Sequence, residues 1–346
     1  MIELKHDSLK FSFSEVHPEA QLTIGFKRTL RIPDDGKDYP LPPGLGRFPM
    51  KHVDDFSERV PSLWIQHGGV MLPMYQSEAL WLSFNSEFLW DHDTSYPFAI
   101  KVATGKTNAV TGKVWSDGLQ KDPQDYMVSS RQPWLDGYCI EKGVIRQFVA
   151  MPLGSGYSAE EQITGNAEHG GIQVIVYPMK RKIFHKRFPK RKYVKDIRYP
   201  LRYHVQEDRE MTQPCFDMGL TPGGRMRQEI YEDPFGIENW EVERKSRCFI
   251  HLANSLVWRA ITSDPPPTVP FTSKEYTDYG LPWFDYYSDN STALKGSEKL
   301  NGLKSVVEKG KEKGDNPVPE NESVEISNIK KLRNSLEPYQ VREGTF

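Results

Sequence analysis

Two apolar, β-branched runs, residues 144–153 and 171–177, constrain the fold of this 346-residue chain more than any other stretch. Between them lie a small-residue loop, Gly154-Ser155-Gly156, and a segment that opens at Ser158 with Glu161 three residues later. That spacing is the S/T-x-x-E pattern in which side chain and backbone cap each other at a helix start. Strand, glycine loop, short helix, glycine pair (Gly170-Gly171) and strand is therefore the predicted unit.

The remainder reads in the same way. Residues 9–14 and 21–32 alternate apolar and polar at period two, with Leu22, Ile24 and Phe26 sharing one face. Residues 78–84 are apolar in both phases, which predicts a strand covered on both sides. Further strand-length runs occupy 96–110 and 124–130, and residues 33–49 crowd turn formers such as Asp35-Gly36 and Pro42-Pro43-Gly44. Residues 245–261 read as a strand passing into a short helix, and 281–287 as an aromatic strap on the body. No fixed-period repeat is present. Short strands at close intervals predict a mainly β fold, a sandwich or barrel-like body with a few short helices.

Composition matters at the C-terminal end. Apolar content is low, 37%, while aromatic content reaches 12%, a combination expected of a ring-rich body carrying a polar segment without a core. Residues 1–287 are assigned to the body, and 288–346, rich in Lys, Glu, Gly, Asn and Ser, to a disordered, flexible tail. Within the tail Ile326, Ile329, Leu332 and Leu336 fall at helical spacing, predicting an amphipathic helix over 324–337. It reads equally as a motif that docks a protein partner or as a fraying surface helix.

No run approaches the ~18 apolar residues that span a bilayer, and the first residues lack the apolar core of a signal peptide. Cys139, Cys215 and Cys248 are far apart and form no disulfide framework. An intracellular protein is expected, cytoplasmic or, in a eukaryote, nuclear, with no membrane insertion.

Charge is uneven. Residues 180–202 hold eleven Lys/Arg against Asp196 alone, about +10, so a net charge of −2 leaves about −12 for the rest. This basic insertion, residues 179–203, interleaves Lys180, Arg181, Lys182, Lys186, Arg187, Lys190, Arg191 and Lys192 with aromatic rings. Such a composition suits phosphate neutralisation and base stacking, or an acidic protein surface. A solvated extension balancing the acidic remainder is the plainer alternative.

Three chemical sites can be drawn. At residues 154–158, backbone N–H groups, Ser155, Ser158 and a helix start would form an anion site with Gly154 and Gly156, with Arg146 adding charge and Arg225 and Arg227 within reach of the scheme. The run is neither GxGxxG nor GxxxxGK[ST], and a tight turn explains the glycines with less. Cys139 with His169 and an orienting Asp136 would make a thiol hydrolase, although buried spectator cysteines are far commoner. His92 stands between Asp91 and Asp93, but alternating side chains on a strand cannot face one ion, and a turn accounts for them better. The other histidines show no HxH or HxxxH spacing, so neither metal nor cofactor is expected.

The leading expectation is thus a non-enzymatic binding protein that uses the basic insertion on an anionic partner, nucleic acid or acidic protein. An enzyme acting on an anionic small molecule at residues 154–158, and a thiol hydrolase, stand as alternatives.

Overall fold

Two β-sheets close on one apolar interior in a computed structural model of the chain, which describes residues 1–190, 217–287 and 291–333. The ten-stranded sheet runs in the neighbour order Ile2–Leu4, Ser8–Ser12, Gln21–Thr29, Ala79–Ser86, Val144–Pro152, Met218–Arg227, Asp38–Tyr39. Gly44–Arg47, Trp134–Leu135 and Gly137–Glu141 attach alongside it. The seven-stranded sheet runs Thr107–Asn108, Phe98–Thr104, Ile172–Pro178, Ser246–Asn254, Val70–Met74, Lys51–His52, with Met127–Val128 attached. Ile24, Phe26 and Leu82 from the first sheet and Val102, Val174 and Leu252 from the second belong to one continuous buried cluster. The mainly β fold with short helices is therefore as the alternation predicted. Among the described residues no helix is long and apolar enough to cross a membrane.

The central unit forms as read, with an unexpected placement. Ser158 and Glu161 make the reciprocal capping box of helix Ala159–Thr164, which ends on Gly165 at φ 76°, a left-handed conformation suited to glycine. Its two strands lie in different sheets, Val144–Pro152 in the larger and Ile172–Pro178 in the smaller. The loop and helix thus form the crossover that joins the two layers.

Strands Phe98–Thr104 and Ile172–Pro178 are buried along their whole length. On the outer side of the former, Lys101 Nζ meets Asp125 Oδ2 at 2.6 Å and donates to the carbonyls of Ser116 and Gly118 at 2.7 and 2.9 Å. The loop that carries these acceptors covers the sheet. For strand Ala79–Ser86 the expected double burial holds only near its start. Ala79 packs outward with Val149, Val306 and Val318, while Trp81 and Ser83 stay partly exposed.

The expected start of the tail at residue 288 requires correction. Residues 291–333 lie on the body, through helices Glu298–Asn301 and Val306–Lys313. Leu300, Leu303, Val306 and Val318 are all buried. Gly296, at φ 83°, lies so close to Glu141 that a Cβ would come within 2.5 Å of its backbone nitrogen. Composition misled here because it asks whether a segment can build its own core; this one spends its few apolar residues on a surface already made. The amphipathic helix over 324–337 is also overturned in its described part. Ile329–Arg333 is a strand, parallel to Trp283–Tyr287. A short isolated helix is marginal in water, and the exposed backbone edge of Trp283–Tyr287 offers a full ladder instead. Residues 334–346 lie outside the described residues.

Candidate functional site

The glycine loop carries its own anion. Gly154 and Gly156 have φ of 85° and 74°, the left-handed backbone that the turn needs. Glu161 Oε1 accepts from Gly156 N at 2.7 Å, and its Oε2 accepts from Ser158 N and Oγ at 3.1 and 2.7 Å. Ser155 Oγ donates to the Pro152 carbonyl, and Lys313 Nζ to the Ser155 carbonyl. The Gly156 and Ser158 amides and the Ser155 and Ser158 hydroxyls, proposed as ligand donors, are thus engaged within the fold. Arg146 does not supplement them; it pairs with Asp34 at 3.6 Å and with Glu308 at 3.3 Å. Arg225 pairs with Asp38 and Glu141, and Arg227 with Asp285.

The residues proposed for a thiol triad are engaged elsewhere or buried. Cys139 is 2% exposed, and burial pushes its thiol up to about 12, far from the thiolate that nucleophilic attack needs. Asp136 accepts from Gln228 Nε2 at 2.7 Å, and burial pushes its carboxyl up to about 7. His169 lies beside Glu168, Nε2 to carboxylate 3.3 Å, with its ring 5.6 Å from that of His67. Alkylation of native protein at pH 7.5 is expected to leave Cys139 unmodified and to reach it only after denaturation. A Cys139 adduct in the peptide map of the native sample would contradict this placement.

The basic insertion begins as a helix, Arg181–Arg187. Phe184 is fully buried, and its ring lies 5.5 Å from that of Phe188 one turn on. This apolar edge fastens the helix to the body and turns the cations outward. Arg181, Lys182 and Lys186 are exposed, and among the described residues none of them pairs with an acid. Lys180 Nζ donates to the Glu238 carbonyl at 2.8 Å, and Arg187 to the Phe235 carbonyl at 3.0 Å. Lys190 pairs with Asp91 at 2.7 Å. Because Phe184 and Phe188 pack inward, the described part of the insertion offers charge and not stacking rings. Arg191 and Lys192 lie outside the described residues.

Behind this helix stands a feature that no sequence spacing signals. His17 occupies a turn after strand Ser8–Ser12, His92 a turn between the paired strands Phe88–Leu89 and Thr94–Ser95, and His185 the helix itself. The rings of His17 and His92 lie 5.2 and 5.6 Å from that of His185 and 6.4 Å from each other. One nitrogen from each lies within 4.8 Å of the other two. Tyr96 and Phe184 wall the group, stacked at 4.4 Å, with Tyr96 held by its hydroxyl on the Met179 carbonyl at 2.7 Å. Burial first, then the charges of His185, Arg181, His92 and Lys190, pulls His17 down to about 4, so its ring is neutral at physiological pH. The Asp-His-Asp run around His92 is a turn, as read, with Asp93 at φ 53°.

No family model, curated protein or solved structure matches the chain.

Proposed function

We propose that the protein is a non-enzymatic binding protein that holds an anionic macromolecule, nucleic acid in the first instance, on the basic face of helix Arg181–Arg187 and the cationic residues after it. One observation carries the reading: Arg181, Lys182 and Lys186 are exposed without acidic partners among the described residues, on a chain whose net charge is −2. An acidic molecule has no electrostatic reason to concentrate cations on one face unless that face meets an anion. Supporting it, the anion loop and the thiol group drawn from the sequence are engaged in internal contacts.

The test is fluorescence anisotropy with a labelled oligonucleotide, single- and double-stranded, over a salt series. Each phosphate contact contributes about 0.7–0.9 to the slope of log affinity against log salt. Replacing Arg181, Lys182 and Lys186 together by Glu is therefore expected to weaken binding at least tenfold and to flatten that slope by about 2–3. Oligonucleotide binding that the triple variant leaves intact overturns the proposal. Binding confined to an acidic protein would leave the basic face in place but reject nucleic acid as its partner.

A further inference from the structure

We propose that His17, His92 and His185 hold a divalent transition-metal ion, zinc in the first instance, between the body and the basic helix. The geometry is that of a preformed donor group: three imidazole nitrogens mutually within 4.8 Å, brought from three separate segments. Nitrogens around a tetrahedral ion at Zn–N of about 2.0–2.1 Å lie roughly 3.4 Å apart. Closure therefore asks for shifts of about an ångström, which His185, partly exposed on a surface helix, is placed to make.

His92 gives an independent observation that points to a ligand. Its Nδ1 stands 2.5 Å from the Phe188 carbonyl, which can only accept, so Nδ1 carries a proton and Nε2 is the ring nitrogen left to offer a lone pair. That Nε2 is buried and has no hydrogen-bond partner, in a side chain whose residue is only 4% exposed. A ring oriented by Nδ1–H on a backbone carbonyl, which leaves Nε2 to bind, is the usual posture of a metal-ligating histidine. An orphaned buried acceptor is otherwise a cost that folded proteins rarely leave standing.

His17 needs one rearrangement. Its Nδ1 accepts from the Glu19 amide at 3.2 Å, so the ring's proton sits on Nε2. Binding through Nε2 moves that proton to Nδ1 and releases an amide lying in an exposed turn, where water can take it. Opposing the ion are Arg181 and Lys190, the latter already offset by Asp91. All-imidazole donors select zinc, copper, nickel or cobalt over magnesium or calcium, which prefer oxygen. With three protein ligands, the fourth position of a tetrahedral ion would fall to water or to a group from a partner. This site is argued from its donors alone and does not depend on the partner proposed above.

The experiment uses the untagged full chain, stripped with chelator and dialysed, titrated with Co²⁺ and, separately, with Zn²⁺. One Co²⁺ per chain with the visible absorption of a four-coordinate ion is expected, displaced by Zn²⁺, together with a rise in Tm on adding Zn²⁺. His185→Ala, on the helix surface, should fold normally and lose more than the about 10–100-fold in affinity that removing an outer-shell partner costs. His52→Ala, at an exposed histidine elsewhere, should change nothing. His92→Gln serves as a second ligand variant, scored only after circular dichroism shows it folded. Absence of stoichiometric Co²⁺ binding overturns the proposal, as does binding that His185→Ala leaves unchanged, which would mark adventitious surface coordination.

Discussion

Replacing Asp125 with alanine is expected to destabilise the protein by about 3–5 kcal/mol, the usual cost of leaving one member of a buried ion pair alone. Lys101 and Asp125 have side chains 1% and 4% exposed and meet at 2.6 Å. The ammonium also donates to the Ser116 and Gly118 carbonyls, while Asp125 Oδ1 accepts from the Gln120 amide at 2.8 Å. Without the carboxylate, a buried charge keeps two neutral acceptors and no counter-ion. The Gln120 amide loses its acceptor in the same step, and the loop over strand Phe98–Thr104 loses its anchor. Lys101→Met combined with Asp125→Leu should cost less than Asp125→Ala alone, because removing both charges removes the desolvation problem that created the penalty. Urea unfolding of the three proteins measures this. A cost below about 1 kcal/mol for Asp125→Ala, the range of solvated surface pairs, would mean that water reaches Lys101 and that the loop does not seal the sheet.

That pair also marks the limit of what the residues alone disclose. Period-two alternation identified strands such as Gln21–Thr29 because it records a local rule: neighbouring side chains point to opposite faces. The Ser158–Glu161 capping box was legible for the same reason, since both partners lie within one turn. Pairing is a different matter. Val144–Pro152 lies between Met218–Arg227 and Ala79–Ser86, partners more than 60 residues distant that nothing in its own sequence specifies. The histidine group is the extreme case: residues 17, 92 and 185 converge only because two turns and a helix are folded onto one corner. Glu161 shows the opposite failure. Its role in capping was visible, yet the same carboxylate fills the place that the glycine loop suggested for a ligand.

Ending the chain after residue 290 is expected to give protein that is aggregated or melts far below the full chain. Were 291–333 a free tail, its removal would leave Tm unchanged. Instead Leu300 and Leu303 belong to the main core, while Val306 and Val318 pack outside the larger sheet against Ala79, Val149 and Met151. Each such side chain contributes roughly 1.5–3 kcal/mol by leaving water, and their loss would bare the apolar surface they cover. Truncation also strips Arg146 of its pairing with Glu308. A gentler variant separates docking from chain length: Leu300→Ala, at a fully buried position against Gly112, should cost about 2–5 kcal/mol as a large-to-small core change. A surface substitution in the same helix, Lys299→Ala, should stay within about 0.5 kcal/mol. If Leu300→Ala were as mild as Lys299→Ala, the segment would not be held where the structure places it. Glu308 would then no longer sit on the body as a counter-ion to Arg146, nor Glu312 as one to Lys304 and Lys309.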